Sequence, residues 1–137
     1  MKRYAPHLTL ITPLIFVTIF CFRVSVAQSS LSLLENRLSK IWRLDHTVQD
    51  HKLLKADQSL NDFVMILNAD HSVKQGMYPE GLIGGKWSVD EKEMMLTIKD
   101  DVTSQNYKMK IASLTATELV LHDPQSSQSV FIHYRAK

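Results

Sequence analysis

From Trp42 onward the chain alternates. Trp42, Leu44, His46 and Val48 interleave with Arg43, Asp45 and Thr47, and Phe63, Met65 and Leu67 interleave with Val64 and Ile66. A period of two is what a strand with one buried face requires, because successive side chains point to opposite faces. The same reading applies to Trp87 and Val89, to Met94, Leu96 and Ile98, to Tyr107, Met109 and Ile111, and to Val130, Ile132 and Tyr134. Turn chemistry separates these runs at Asn68–Ser72, Asp90–Glu93, Asp100–Ser104, 113–118 and Asp123-Pro124. The pattern predicts eight strands, at roughly 41–48, 61–68, 72–77, 84–89, 94–99, 105–111, 119–123 and 129–135. Ahead of them, Leu31, Leu34, Leu38 and Ile41 recur at helical spacing, with Ser30 or Ser32 placed to cap one or two turns.

A meander of eight antiparallel strands closes into an up-and-down barrel, which removes exposed sheet edges. The expected fold is therefore all-β: an eight-stranded barrel with a short N-terminal helix. An open sheet or sandwich is the alternative arrangement of the same strands. Gly84 and Gly85, just before Trp87, are expected where a strand bends sharply. The stretch "QGMYPEGLIGG" (75–85) reads as a long connection carrying Met77, Tyr78, Leu82 and Ile83, laid over one open barrel end.

The first 27 residues differ in kind. Lys2 and Arg3 precede an uncharged run of 15 residues from Leu8 to Phe22, and Ser25-Val26-Ala27 supplies small residues for a cleavage site. The run is short of the roughly 20 apolar residues a spanning helix needs. Residues 1–27 are expected to be a cleaved secretory signal, leaving a single domain at 28–137 that is periplasmic or secreted, without stable membrane insertion. Removing Lys2, Arg3 and Arg23 from the 16 Lys and Arg leaves 13 against 14 Asp and Glu, a net charge of −1. A domain so near neutrality gives no overall electrostatic case for nucleic acid. Cys21 lies within the leader, so residues 28–137 contain neither a disulfide nor a thiol nucleophile.

Catalytic chemistry finds little support. Serines are numerous, but none occupies a G-x-S-x-G turn. Asp90, Glu91, Glu93, Asp100 and Asp101 fall in turns, where solubility accounts for them, and no predicted inward position holds a carboxylate. His46, His51, His71, His122 and His133 show no metal-ligand spacing and read as isolated surface residues. No catalytic residue, metal or cofactor is expected.

The order of motifs resembles that of small bacterial lipocalin-like domains, a family of exported and mostly uncharacterised proteins. The resemblance rests on "LSKIWRL" at the first strand, "FVMILNADH" as the hairpin at 63–71, and Gly85-Lys86-Trp87-Ser88-Val89. It continues through Leu96-Thr97-Ile98 and "IASLTATELVL" at 111–121, so it covers about 41–135. His71 stands where the family's hairpin has glycine. The resemblance implies a non-catalytic exported binding protein carrying a small apolar ligand in the barrel. Candidate contacts are Trp42, Phe63, Met77, Tyr78, Leu82, Trp87, Tyr107 and Met109. The alternative is an interaction or inhibitor-type domain with a filled barrel, acting on a protein partner through its loops.

Overall fold

The structure is a computed structural model that describes residues 30–55 and 62–137. The predicted leader, residues 1–27, lies outside the described residues. Helix α1 (Leu33–Leu38) is followed by β1 (Ile41–Gln49), β2 (Lys52–Lys55), β3 (Phe63–Leu67), β4 (Ser72–Met77) and β5 (Gly81–Asp90). Then come β6 (Met95–Asp100), β7 (Asn106–Leu114), β8 (Glu118–His122) and β9 (Val130–Ala136). Every pairing is antiparallel, and β1 pairs with β9 to close an eight-stranded barrel to which β2 is an addition. Along one edge of β1, Ile41–Arg43 pair with β3, while His46–Gln49 pair with β2. No helix among the described residues is long and apolar enough to cross a membrane.

The added strand is entered through a two-residue turn at Asp50-His51, both at positive φ (47° and 66°), with Gln49 opposite Lys52. Such a turn matches the twist of the strands it joins. His71 also has positive φ (64°), a conformation that glycine adopts at no steric cost.

Side-chain volume is concentrated at the end where β1 begins. Ser32 and Glu35 form a reciprocal capping box on α1, and Leu34 and Leu38 pack into the barrel beside Trp42, Trp87, Leu96 and Leu119. Trp42 Nε1 donates to the Leu38 carbonyl at 2.8 Å, and Trp87 Nε1 donates to the Asn68 carbonyl at 2.9 Å. Both indoles are buried with their one donor satisfied. This upper end is plugged.

Three expectations are corrected. The long connection at 75–85 is instead a tight hairpin: β4 runs to Met77, Tyr78–Glu80 turn, and β5 starts at Gly81. Gly76 (φ 138°), opposite Leu82, lies so close to β5 that a Cβ there would sit 2.0 Å from the Gly81 carbonyl oxygen. Gly76 thus lets the two strands approach closely within a paired ladder, where a long loop was expected. In β1, a bulge between Leu44 and His46 inverts the alternation. Trp42 and Leu44 join the core, whereas His46 and Val48 lie opposite His133 and Phe131 on the outer face; one extra residue flips everything after it. Finally, Asp100 is an inward carboxylate, only 7% exposed. It is buried because its Oδ1 accepts from the Val102 and Thr103 amides and so builds the following turn.

Candidate functional site

The lower half of the barrel, away from α1, is not filled. A cavity of about 180 Å³ lies between Met65 and Gln75 on β3 and β4, Ile98 on β6, Tyr107 and Met109 on β7, Leu121 on β8 and Tyr134 on β9. Register joins some of these residues in pairs, Met65 opposite Gln75 and Ile98 opposite Tyr107, and sets Met65, Met109 and Tyr134 opposite Trp42, Leu96 and Leu119, so the cavity borders the packed end directly. Tyr107 is 43% exposed, so one wall of the cavity reaches solvent.

Two polar groups interrupt an otherwise apolar lining. Tyr134 is 7% exposed, and burial alone pushes its phenol up to about 12, with no hydrogen-bonding or charged neighbour contributing. No fully enclosed side-chain nitrogen or oxygen lacks a partner among the described residues. The Tyr134 hydroxyl makes no hydrogen bond to a described residue, so it is not fully enclosed, and Tyr134 is one of the residues lining the cavity. Gln75 lines the same space and carries a donor and an acceptor on its amide. Leaving such a hydroxyl dry costs about 1–3 kcal/mol, which a bound molecule or a water would recover.

The expected ligand contacts divide into four groups. Tyr107 and Met109 line the cavity. Trp42 and Trp87 belong to the plugged upper end, fully packed and hydrogen-bonded. Phe63 and Met77 lie opposite each other at the lower end of β3 and β4, below the cavity wall. Leu82 pairs with Gly76 in the ladder, and Tyr78 is exposed in the turn, with the Lys137 ammonium 5.4 Å from its ring. Sequence reasoning missed Gln75 and Tyr134, whose roles depend on what lies across the barrel.

The histidines are less isolated than expected. His46 and His133 stack across the β1–β9 seam with ring centroids 4.1 Å apart. Asp45 Oδ2 accepts from His46 Nδ1 at 2.8 Å and lies 3.2 Å from Arg135 Nε, while His133 Nδ1 is 3.2 Å from Glu118 Oε1. The His46 hydrogen bond, with Arg135 assisting, holds the Asp45 carboxyl below its ordinary value. His122 stacks on Phe131. No group of three or more His, Cys, Asp or Glu among the described residues could hold a metal ion. Lying on the outer wall, the His46–His133 cluster fastens the seam that closes the barrel.

The fold and its interior define a closed antiparallel barrel, plugged by a helix at one end and hollow at the other. Two solved structures share the fold. One is a DUF4847 family protein from Bacteroides vulgatus ATCC 8482 (TM-score 0.59, 13% identity, covering 77% of this chain and 98% of that one). The other is an uncharacterized protein from Bacteroides eggerthii DSM 20697 (TM-score 0.55, 12% identity, 72% and 98%). At these identities the likeness shows the fold alone. No family model matches the chain, and no curated protein matches it in sequence.

Proposed function

We propose that the protein is an exported, non-catalytic binding protein of lipocalin-like type that takes a small, mostly apolar ligand into the lower half of its barrel. The observation carrying this reading is the cavity lined by Met65, Ile98, Met109 and Leu121, with Tyr134, whose hydroxyl makes no hydrogen bond to a described residue, at its wall. The volume sets the scale of the ligand. An apolar cavity of about 150 Å³ holds one benzene ring, whereas drug-sized ligands fill about 300–1,000 Å³. A space of about 180 Å³ therefore suits a single ring or a short branched chain with one polar atom. A longer molecule would leave its remainder beyond Tyr107.

The test is calorimetric titration with p-cresol and with toluene, which share a ring and differ in one hydroxyl. Tighter binding of p-cresol, reduced about tenfold or more by Tyr134→Phe, is the expected result, since one hydrogen bond in a dry site is worth roughly 1–3 kcal/mol. Absence of binding by either probe, with Tyr134→Phe as stable as the parent, would favour a filled barrel acting on a protein partner through its loops. Export is tested by intact mass: the proposed mature chain begins at Gln28.

A further inference from the structure

Net charge conceals how the cations are arranged. Trp87 and Ile98 point into the core, so their neighbours Lys86 and Lys99 point outward, directly opposite each other on β5 and β6. Lys74 lies one step down on β4, beside Gly84, and Lys108 and Lys110 one and two steps up on β7, opposite Thr97 and Met95. All five are exposed. With strands about 4.8 Å apart and same-face residues about 7 Å apart, they form a diagonal stripe roughly 25 Å long across four strands.

This stripe differs from the protein's other cationic region. Around α1 and β9, Arg37 donates to the Leu114 carbonyl, Lys40 to the Ala116 carbonyl, and Arg135 pairs with Asp45. None of the five stripe lysines makes an ion pair, hydrogen bond or cation–π contact among the described residues, and the ion pairs all lie elsewhere. Carboxylates only border the stripe. Asp70 feels the charge of Lys86 from the upper side, Asp101 lies beside Gly84 at the lower, and Asp90 ends β5. Like charges directly opposite on neighbouring strands destabilise a sheet, so Lys86 facing Lys99 is unfavourable unless an anion lies between them.

We infer that this outer wall of β4–β7 is a docking track for a linear acidic polysaccharide, whose carboxylate or sulfate groups follow the diagonal Lys74–Lys86–Lys99–Lys108–Lys110. The groups between the lysines suit a sugar backbone. Ser88, Thr97 and Asn106 offer hydroxyls and an amide, and Ser88 and Thr97 line a shallow surface depression of about 620 Å³ that Asp90, Glu91 and Lys92 also border. Single-stranded nucleic acid fits less well, because the stripe has no aromatic side chain on which bases could stack. A bilayer fits less well too, because no cluster of large apolar side chains on this wall could enter it.

The experiment is affinity measurement on the purified protein with a defined heparin decasaccharide and an oligogalacturonate of equal length. Single-stranded DNA of equal charge, anionic phosphatidylglycerol vesicles and neutral dextran complete the series. Micromolar binding to either acidic glycan is expected, falling roughly a hundredfold between 50 and 200 mM salt if five counterions are released. Retention by heparin alone would identify sulfate as the recognised group, and retention by both would identify charge in general. Lys86→Gln with Lys99→Gln should weaken binding at least tenfold without lowering the melting point, since it also removes a like-charge pair. Arg43→Gln with Lys52→Gln, the same charge change on the opposite wall, should leave affinity within twofold. Equal loss in both double variants, equally tight binding of DNA or vesicles through the same lysines, or no glycan binding at low salt would overturn the assignment.

Discussion

Two adjacent glycines should respond in opposite directions to the same methyl group. Gly85 is buried, and a Cβ built there would sit 2.2 Å from the Lys99 carbonyl oxygen and 3.2 Å from both the Lys99 carbonyl carbon and Val73 Cγ1. The blocking atom is backbone within the β5–β6 pair, so it cannot swing aside. Gly85→Ala has to push β5 about 1 Å away from β6, in the layer beneath Trp87, at an overpacking cost of about 2–3 kcal/mol. For a domain of this size, that lowers the thermal midpoint by roughly 10–20 °C. At Gly84, a Cβ meets only Asp101 Oδ2, at 3.3 Å, and its φ lies outside the left-handed region. That exposed carboxylate can turn away, so Gly84→Ala should be neutral or raise stability by up to about 1 kcal/mol through lost freedom in the unfolded chain. The assay is reversible thermal or urea unfolding of both variants beside the parent. Equal midpoints for the two variants would refute the close approach at Gly85, and with it the β5–β6 register.

Trp87→Ala should cost about 3–5 kcal/mol, because it empties a packed position and removes one of the two donors to the Asn68 carbonyl, leaving only the His71 amide; urea unfolding measures it. Glu35 is held below its ordinary carboxylate range first by the His71 hydrogen bond and then by the Ser32 amide. A lowered folded value means stability present above the unfolded value of about 4.5 and lost as pH falls through the folded one. The melting point should therefore fall below about pH 4.5, and Glu35→Gln should flatten that decline. Tyr134 has the opposite sign: its raised value gives stability that is complete below about pH 10 and lost as pH rises towards 12. Ultraviolet titration should show one late-ionising tyrosine, absent in Tyr134→Phe.

Alternation alone located eight strand regions and the inward positions Trp42, Phe63, Met65, Leu67, Trp87, Leu96, Tyr107, Met109, Leu121 and Ile132, because the period of a strand is written in consecutive residues. What it lost were events that change the period without changing composition. The bulge after Leu44 leaves no mark, since Asp45 and His46 are as ordinary in a regular strand as in an irregular one. The turn into β2 is spelled Asp-His, without the glycine that signals such turns, so Lys52–Lys55 passed for a polar connection. In "QGMYPEGLIGG" the glycines read as part of a long connection, yet their role is set by backbone atoms of the neighbouring strand: the Gly81 carbonyl beside Gly76 and the Lys99 carbonyl beside Gly85.

The cavity was hidden for a different reason, and it bears on what the barrel can do. An inward position is a local property, but a void is a difference between volumes summed around the circumference. At the upper level two indoles, several leucines and the α1 side chains over-supply that volume, and the barrel is solid. At the lower level the ring is Met65, Gln75, Ile98, Tyr107, Met109, Leu121 and Tyr134, and no helix enters from below among the described residues. Tyr134 follows Val130 and Ile132 in what reads as one more apolar stripe. Only closure of β9 against β1 brings its hydroxyl into the same space as Gln75, 59 positions earlier in the chain. A helix-filled end gives this barrel its stability from packing. At the other end Tyr134, whose hydroxyl makes no hydrogen bond to a described residue, walls the cavity, and the proposed ligand, small with one polar atom, would answer both the space and that hydroxyl.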